Sequence, residues 1–380
     1  MNKKKKILII TGSRAEYGLL KPIVVGLMKS KKIKPHLLVT GMHTLKKFGS
    51  SVNEIIKDKI PIKTVVKISE KDDMLISLTK EILGIRKCCY SLKPDLILVL
   101  GDRDEAFAGA IAGGHLRIPV AHIHGGDVTG FVVDEYIRHS ITKFSHLHFV
   151  ASKRSYNRII WLGEERWRVF VCGAPGIDSI RRGHYVSKNS MAKKFGFDKN
   201  KKWLLIIHHP TPLDQVIFLR QIRPLLECVK NIDAEKIIIY PNSDTGSDIF
   251  IKEINKYEKN KNFHIYKNLP KNDFLNIMNR ADILLGNSSA GIIESGYFKL
   301  PTVNIGNRQK SRERGKNVMD SNYNKNNIGK AITKALAPQF KINCQNMKNP
   351  YGDGRASEKI IKILEKYIDN KKLFLKKLTY

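Results

Sequence analysis

The sequence contains little cysteine, and the cysteines it has form no recognisable pattern. There are five, an odd number, and none lies in a C-x-x-C pair or at the Cys/His spacing of a zinc site. Disulfide frameworks and structural zinc sites both depend on paired or clustered residues of this kind. The histidines and acids likewise form no compact ligand set, so we expect no metal and no cofactor.

Long apolar runs are also absent. The N-terminal stretch MNKKKKILIITGSRAEYG places lysines before an apolar run, as a signal peptide would, but the run ends at Ile10. That is too short for the apolar region of a signal peptide. No segment approaches the ~20 apolar residues that a helix needs to cross a bilayer. We therefore expect a cytoplasmic protein that does not bind membranes.

Acidic residues are scarce relative to basic ones. Asp and Glu number 35 against 68 Lys and Arg, which gives a formal net charge of +33. Such a surplus can indicate nucleic acid, an anionic membrane or acidic small molecules as partners. The basic clusters (3–6, 29–34, 199–202 and 371–377) are scattered and lack interleaved aromatic residues. This distribution favours a lysine-rich solvated surface, and we expect no nucleic-acid partner.

What the chain has in abundance is short runs of Ile, Leu and Val, each followed by a segment with helical periodicity. Continuous apolar runs separated by helices are typical of parallel strands buried on both faces. A chain of 380 residues exceeds what one core usually supports. The sequence therefore predicts an α/β protein with two doubly wound parallel-sheet, Rossmann-like domains.

The residue pattern changes after Asp178, where a basic segment with no strand-like apolar run begins. We place the N-terminal domain at 1–180 and the C-terminal domain at 190–357. The last segment, 358–380, has the pattern of an amphipathic helix, and we expect it to pack back on the N-terminal domain.

Polar motifs follow the predicted strands at the points where the strands end. TGSR follows strand 7–10, GDRDE follows strand 95–100 and HGGD follows strand 119–123. In the second half, HHP, YPNSD and LLGNSSAG take the same position. Open parallel sheets bind ligands beyond the carboxyl ends of their strands. Two such edges facing each other would enclose a polar cleft.

Two of these motifs are candidates for binding an anion. In GNSSAGIIESG (Gly286–Gly296), backbone N–H groups at a helix start could approach phosphate oxygens, and Glu294 could accept both hydroxyls of a ribose. The alternative is that Ser288 or Ser289 is only a helix N-cap. TGSRAEYG is weaker, because Arg14 could equally cap a neighbouring helix. Arg308, Arg312 and Arg314 follow in a basic loop and could balance a diphosphate.

Asp102, His124 and Asp134 are candidates for proton transfer, which needs groups of adjustable pKa close to one substrate. Structural explanations remain open for two of them. Asp102 could form an ion pair with Arg103, and Asp134 could be an ordinary acid at the start of a helix.

Taken together, the motifs resemble those of the hydrolysing UDP-N-acetylglucosamine 2-epimerases of sialic acid biosynthesis. TGSRAEYGLLKPI, TGMH, GDR, HIHGGD, DEYIRHSITKFSHLHF, PNSDTGSD, GNSSAGIIES, NIGNRQK, RGKNV and YGDG occur in the family's order between about residues 5 and 365. The resemblance implies a glycosyltransferase-B-type fold with UDP held between the domains. It also implies elimination of UDP to 2-acetamidoglucal, followed by hydration to N-acetylmannosamine.

The resemblance also assigns roles to individual residues. Asp102, Asp134 and His43 match positions implicated in the reaction. The positions that match UDP ligands are Arg14, Arg103, His209, Asn242, Phe274, Ser288, Ser289, Glu294 and Arg308. Two positions depart from the pattern: several members have Glu in place of His124, and many have Glu in place of Asp127. Either residue, or Asp134, could therefore take the C2 proton.

The sequence leaves the sugar open. UDP-N-acetylglucosamine and UDP-2,4-diacetamido-2,4,6-trideoxyhexose differ only at C4 and C6, so both are candidate substrates. A nucleotide-sugar glycosyltransferase, which shares the two-domain cleft, is the rival enzyme class. We expect the chain to form a homodimer or homotetramer.

Overall fold

A computed structural model describes residues 3–45, 51–128, 133–212, 214–242 and 245–379. The chain divides into two compact units, one of Met1–Ser179 with Tyr351–Tyr380 and the other of Ile180–Pro350. Each unit is built on one sheet in which every pair of neighbouring strands is parallel.

Within the described residues, the sheet of the first unit has seven strands in the order β3-β2-β1-β4-β5-β6-β7. They are β1 (Lys5–Thr11), β2 (Ile33–Val39), β3 (Ile62–Val65), β4 (Leu96–Leu100), β5 (Val120–Ile123), β6 (Leu147–Val150) and β7 (Val169–Val171). The helices between them are α1 (Arg14–Met28), α2 (Val52–Lys57), α3 (Met74–Leu92), α4 (Asp104–His115), α5 (Val133–Phe144) and α6 (Lys153–Trp161). Helix α7 (Pro175–Arg181) follows β7 and includes the boundary between the two units. The order reverses direction between β1 and β4, which is the switch point where such sheets bind ligands.

The described part of the second unit has a sheet of six strands in the order β10-β9-β8-β11-β12-β13. They are β8 (Lys202–Ile207), β9 (Ala234–Ile239), β10 (Phe263–Tyr266), β11 (Ile283–Gly286), β12 (Thr302–Ile305) and β13 (Val318–Ser321). Its helices are α8 (Lys188–Phe195), α9 (Phe218–Lys230), α10 (Ser247–Asn255), α11 (Lys271–Arg280), α12 (Lys325–Leu336) and α13 (Pro338–Gln345). Here the order reverses between β8 and β11.

Both sheets are covered by helices on two faces. In β1, Ile7 and Ile9 belong to one apolar cluster and Leu8 and Ile10 to another, and all four are almost completely buried. Alternate residues of β8 are divided in the same way between two clusters of the second unit. Because successive side chains of a strand point to opposite faces, a sheet buried on both sides requires unbroken apolar runs. The predicted pair of doubly wound α/β units is confirmed.

The chain returns to the first unit at its C-terminal end. Helix α14 (Ala356–Tyr367) buries Ile360 and Leu364 in the same cluster as β1, and the side chain of Ile361 lies over Gly26 of α1. The helix ends at Tyr367, short of the extent to 380 that the sequence pattern suggested, and a 3₁₀ turn follows at Lys371–Phe374. None of the helices in the described ranges is long and apolar enough to cross a membrane.

Candidate functional site

The carboxyl ends of β4 and β5 carry three of the candidate catalytic residues of the first unit, Asp102, His124 and Asp127. After β4 the backbone turns through Gly101 (φ +81°), whose N–H donates to the carbonyl of Ile123 at the end of β5 (2.9 Å). His124 then adopts φ +67°, a left-handed conformation that is uncommon for a non-glycine residue and is often found at functional sites. The two strand ends are thereby joined, and Asp102 and Asp127 are attached to them.

Arg138 of α5, which sequence reasoning missed, connects these acids. Its side chain is 2 % exposed and forms an ion pair with Asp102. The same guanidinium donates through Nη1 to the Asp127 carbonyl (2.9 Å) and to Glu135 Oε2 (3.1 Å). Asp102 is therefore in an ion pair, as one interpretation of the sequence held, but its partner is Arg138 and not Arg103.

His124 and Asp127 form a hydrogen-bonded pair. His124 Nδ1 lies 2.9 Å from Asp127 Oδ2, and the other carboxyl oxygen of Asp127 accepts from the Ser155 hydroxyl (2.7 Å). A carboxylate can only accept, so Nδ1 carries the ring proton of the neutral imidazole and Nε2 is the basic nitrogen. The His124 side chain is 17 % exposed, so the ring is partly open to solvent. This arrangement suits a general base that is oriented by a carboxylate.

His43 and Asp134, the other two candidates, lie in contrasting environments. His43 is completely buried, with its ring nitrogens near the hydroxyls of Thr11 (3.2 Å) and Ser51 (2.7 Å). Burial lowers the pKa of His43 to about 4, which keeps it neutral near pH 7. Asp134 is exposed in the first turn of α5, close enough to Arg103 to interact with it electrostatically.

The turn between β1 and α1 is not an open anion site. Glu16 Oε2 accepts from the backbone N–H groups of Gly12 (3.0 Å) and Ser13 (3.1 Å), the groups that the sequence offered to a phosphate. The S-x-x-E spacing of Ser13 and Glu16 is that of a capping box, and the sequence could have shown it. Arg14 is 76 % exposed and pairs with Glu54 of the neighbouring helix α2 at 3.1 Å.

In the second unit, Asn287 fixes His209 at the end of β8. The buried Asn287 side chain accepts from the His209 N–H (2.7 Å) and donates to the His209 carbonyl (2.8 Å). The backbone N–H of Asn242 donates to His209 Nδ1 (3.0 Å). Because Nδ1 accepts, the ring proton resides on Nε2, where it can be donated to a phosphate oxygen. Sequence reasoning selected His209 and Asn242 but missed Asn287.

The segment after β11 differs from the helix start that the sequence suggested. Gly286 has φ +127°, and a Cβ there would lie 2.1 Å from the Ile207 carbonyl oxygen of β8. This glycine is required by the close approach of two strands. Ser288 accepts from the Ala290 N–H (3.3 Å) and caps a 3₁₀ turn, Ser289–Gly291, which is followed by turns and not by an α-helix. Ser288 therefore caps a 3₁₀ turn and not the α-helix that the sequence suggested.

Glu294 presents a buried carboxyl oxygen with an open hydrogen-bonding capacity. Its Oε2 is inaccessible to solvent and has no hydrogen-bond partner among the described residues. Burial raises the pKa of this carboxyl group. A buried polar atom left without a hydrogen-bond partner costs about 1–3 kcal/mol of stability. A ligand hydroxyl that donated to Oε2 would remove this cost.

The remaining candidates of the second unit are held by their surroundings to different degrees. Phe274 is half-buried on α11 within an apolar cluster, and Arg308 Nη1 donates to the Asn287 carbonyl (3.4 Å). Arg314 bonds Asp320 and the carbonyls of Gln309 and Arg312. The prediction that Arg314 balances a diphosphate is therefore not supported, because these contacts occupy its guanidinium. Within the described part of the chain, no three His, Cys, Asp or Glu residues form a group that could hold a metal ion.

The sequence matches the model of the UDP-N-acetylglucosamine 2-epimerase family over residues 26–365. It is 37 % identical to the UDP-N,N'-diacetylbacillosamine 2-epimerase (hydrolyzing) of Legionella pneumophila, with 95 % of this chain and 96 % of the relative covered. It is 35 % identical to polysialic acid biosynthesis protein P7 of Escherichia coli, with 97 % and 95 % covered.

Among solved structures, the fold is similar to that of the UDP-GlcNAc 2-epimerase of Neisseria meningitidis bound to UDP-GlcNAc. The TM-score is 0.79 at 21 % identity, with 95 % of this chain and 100 % of that chain covered. At this identity the likeness shows the fold alone, a glycosyltransferase-B-type pair of α/β units.

Proposed function

Because this chain belongs to the UDP-N-acetylglucosamine 2-epimerase family, we propose that it is a hydrolysing 2-epimerase. It converts UDP-N-acetylglucosamine and water to N-acetylmannosamine and UDP, for sialic acid biosynthesis. The observation that carries the proposal is the His124–Asp127 pair after β5, beside the ion pair that Asp102, after β4, forms with Arg138. An oriented base thus lies beside a second carboxyl group, and proton transfers on the two faces of C2 need two groups.

The first half of the reaction is an elimination. His124 Nε2 takes the proton from C2 of the sugar, the C1–O bond breaks, and its electron pair leaves with UDP. The product is 2-acetamidoglucal, which has a C1=C2 double bond. C2–H is a weak acid, so a positioned base is needed, and the diphosphate disperses the charge that develops on the leaving group.

The second half is hydration of the glucal. Water adds its oxygen to C1, and a proton is returned to C2 on the opposite face, which inverts that carbon. Asp102 and Asp134 are the carboxyl groups proposed to assist these proton transfers. Neutral His43 contacts the hydroxyl of Thr11 at the end of β1. The hydrolysis releases free sugar and free UDP without any acceptor.

UDP is proposed to bind mainly through the second unit. Glu294 accepts from the ribose hydroxyls, Phe274 stacks near uracil, and His209 donates to phosphate. The full proposed set is Arg14, Arg103, His209, Asn242, Phe274, Ser288, Ser289, Glu294 and Arg308. The support is the unpaired oxygen of Glu294 and the Nε2 proton of His209.

A second candidate substrate is UDP-2,4-diacetamido-2,4,6-trideoxyhexose. It is favoured by the 37 % identity to a relative whose name specifies UDP-N,N'-diacetylbacillosamine. The two sugars share the C1–C2 region, so the same side chains would perform the same steps. A nucleotide-sugar glycosyltransferase would need an added acceptor and would not release free sugar.

The test is to incubate the protein with each UDP-sugar in D₂O and in ¹⁸O-labelled water, and to identify the products by NMR and mass spectrometry. The proposal expects N-acetylmannosamine with deuterium at C2 and ¹⁸O at C1. Product formed only from the diacetamido sugar would assign the second candidate. Protium retained at C2 would exclude elimination, and turnover only with an added acceptor would indicate a transferase.

A paired set of variants tests the identity of the base. His124→Ala is expected to lower kcat by about 10²–10⁴, the usual range for a lost general base. Asp127→Asn keeps the ring and removes the charge that orients it, so its loss should be smaller. A nearly active His124→Ala beside an inactive Asp127→Asn would assign the base to the aspartate.

A further inference from the structure

The turn after β5, which carries the proposed base, lies directly against helix α6. A Cβ on Gly126 would lie 2.4 Å from the Ser155 carbonyl oxygen of that helix, so the close approach requires glycine. Gly126 also has φ +73°, a left-handed conformation that glycine adopts without strain. Arg158 Nη1, one turn further along α6, donates to the Gly126 carbonyl (2.9 Å). The backbone of the turn is therefore held by α6 as well as by its own strand.

The side chain of Ser155 holds the Asp127 carboxylate itself. The Ser155 hydroxyl donates to Asp127 Oδ1 at 2.7 Å, and Asp127 Oδ2 lies 2.9 Å from His124 Nδ1. The torsion that turns a carboxylate about its Cβ–Cγ bond has only broad, weak preferences of its own. Two hydrogen bonds to its two oxygens therefore determine which oxygen faces the imidazole ring.

The direction of the bond from Ser155 follows from its chemistry. Ser155 is 2 % exposed, and its hydroxyl lies near two oxygens, Asp127 Oδ1 and Ser152 Oγ (3.2 Å). A carboxylate can only accept, so the single hydroxyl proton of Ser155 is donated to Asp127. In the contact between the two serines, Ser152 is then the donor.

Helix α8 begins with nearly the same local sequence and shows what Ser155 adds. SKRS (152–155) begins α6 and SKNS (187–190) begins α8. In both helices the first serine is the N-cap and accepts from the N–H of the second serine. The second serine is buried in α6 and exposed in α8. Capping therefore accounts for Ser152 and Ser187, but it does not account for the contact of Ser155 with Asp127.

We propose that Ser155 is a positioning residue for the base, since it holds the Asp127 carboxylate so that Oδ2 keeps the ring proton of His124 on Nδ1. The proposal rests on the proposed function, in which His124 Nε2 takes the C2 proton. That nitrogen is basic in the neutral ring only while the proton is on Nδ1. Without the hydroxyl, the carboxylate can turn towards the guanidinium of Arg158, which lies beside the neighbouring Gly126 carbonyl. His124 then lacks a fixed acceptor, and both tautomers of its ring become populated.

The kinetic test compares Ser155→Ala with Ser190→Ala, the matched change in α8. We expect Ser155→Ala to lower kcat by about 10-fold, the scale of one hydrogen bond to a charged group, and to leave the affinity for UDP unchanged. Ser155→Cys fills the space of the hydroxyl but has only a weak S–H donor, so it should lose kcat as well. Ser190→Ala should change neither quantity. Urea unfolding of each variant establishes that it is folded.

A spectroscopic readout tests the positioning role without any substrate. Nitrogen-15 NMR of the unliganded protein in mildly alkaline buffer distinguishes the protonated from the unprotonated ring nitrogen, and the His124 signals are those missing from His124→Ala. In the unmodified protein and in Ser190→Ala, the ring proton should be on Nδ1. In Ser155→Ala, a form with the proton on Nε2 should appear beside it.

Three results would each overturn the positioning role of Ser155. They are full kcat in a folded Ser155→Ala, an equal loss of kcat in Ser190→Ala, and a ring that stays protonated only at Nδ1 in Ser155→Ala. Failure of the proposed function gives a different result: neither UDP-sugar is turned over by the unmodified protein, while the change of tautomer in Ser155→Ala is still observed.

Discussion

At the scale of single residues, Arg138 determines how the proposed catalytic edge is arranged. It is buried, yet it forms an ion pair with Asp102 and holds the backbone of Asp127. A buried guanidinium whose partner is removed is strongly destabilising, by about 3–5 kcal/mol. Asp102 therefore also has a structural role, and a test of its part in catalysis must distinguish loss of activity from loss of stability.

Asp102→Asn is expected to lower kcat by about 10²–10⁴ while UDP still binds, since the carboxyl group is proposed to act at the sugar and the diphosphate is proposed to be held by other residues. Three quantities are measured on the same preparation: kcat, the affinity for UDP by calorimetry, and the free energy of unfolding by urea. Arg138→Lys keeps a cation beside Asp102 and serves as the structural comparison. If Asp102→Asn were folded and fully active, the residue would have no part in proton transfer.

Glu294→Gln is expected to weaken UDP binding by about 1–3 kcal/mol through loss of charge-assisted hydrogen bonds to the ribose. The same change should leave the free energy of unfolding unchanged or higher, because Glu294 Oε2 is buried without a partner in the unliganded protein. Calorimetry with UDP and urea unfolding give the two quantities. Unchanged UDP affinity would remove Glu294 from the site.

At the scale of elements, the strands were predictable from sequence and several of their contacts were not. Buried parallel strands require unbroken Ile, Leu and Val runs, which are visible in any short window. The carboxyl-edge rule then placed Asp102 and His124 together. Gly286 looked like a phosphate-binding glycine, but its conformation is imposed by the Ile207 carbonyl of β8, far away in the sequence. Pairings such as Asp102 with Arg138 likewise depend on how distant segments meet.

The β8–β11 contact gives a prediction for that glycine. Gly286→Ala should destabilise the protein by about 3 kcal/mol or more, because the methyl group would clash with the Ile207 carbonyl and φ +127° is strained for any side chain. Gly196→Ala is the matched control: φ is +74° and a Cβ there meets nothing within 4 Å. It should cost only about 1 kcal/mol. Urea unfolding measures both, and equal losses would show that the clash is relieved by movement of β8.

At the scale of the whole molecule, buried histidines link stability to pH. Burial lowers the pKa of His43 and His146 to about 4 and that of His122 and His208 to about 3. An unfolded chain holds its histidines near their ordinary pKa of about 6.5. Between these values the unfolded state binds more protons than the folded state, so stability rises with pH.

The same linkage acts in the opposite direction through Glu81. Its folded pKa of about 8 exceeds the ordinary value of 4.5, so the contribution of its neutral form is full below pH 4.5 and is lost as pH rises towards 8. Burial also raises the pKa values of Glu16, Asp104 and Glu294, which act in the same direction as Glu81. Among the described residues, six histidines have lowered pKa values and outnumber these four acids between pH 4.5 and 6.5: His36, His43, His122, His146, His148 and His208. The net charge of +33 adds self-repulsion as further carboxylates become protonated in acid. We therefore expect the protein to lose stability steeply as pH falls from about 6.5 to 4.

A variant of His208 tests how much a single buried histidine contributes to this pH dependence of stability. It is buried after β8, its Nε2 lies 3.1 Å from the Gln221 carbonyl, and its Nδ1 has no partner among the described residues. His208→Gln can still donate to that carbonyl but cannot take up a proton. Urea unfolding of the variant between pH 4 and 6.5 should show a shallower dependence on pH, by up to about 1.4 kcal/mol per pH unit. His115→Gln, at an exposed position, should keep the slope of the unmodified protein, and equal slopes in all three would show that His208 does not contribute.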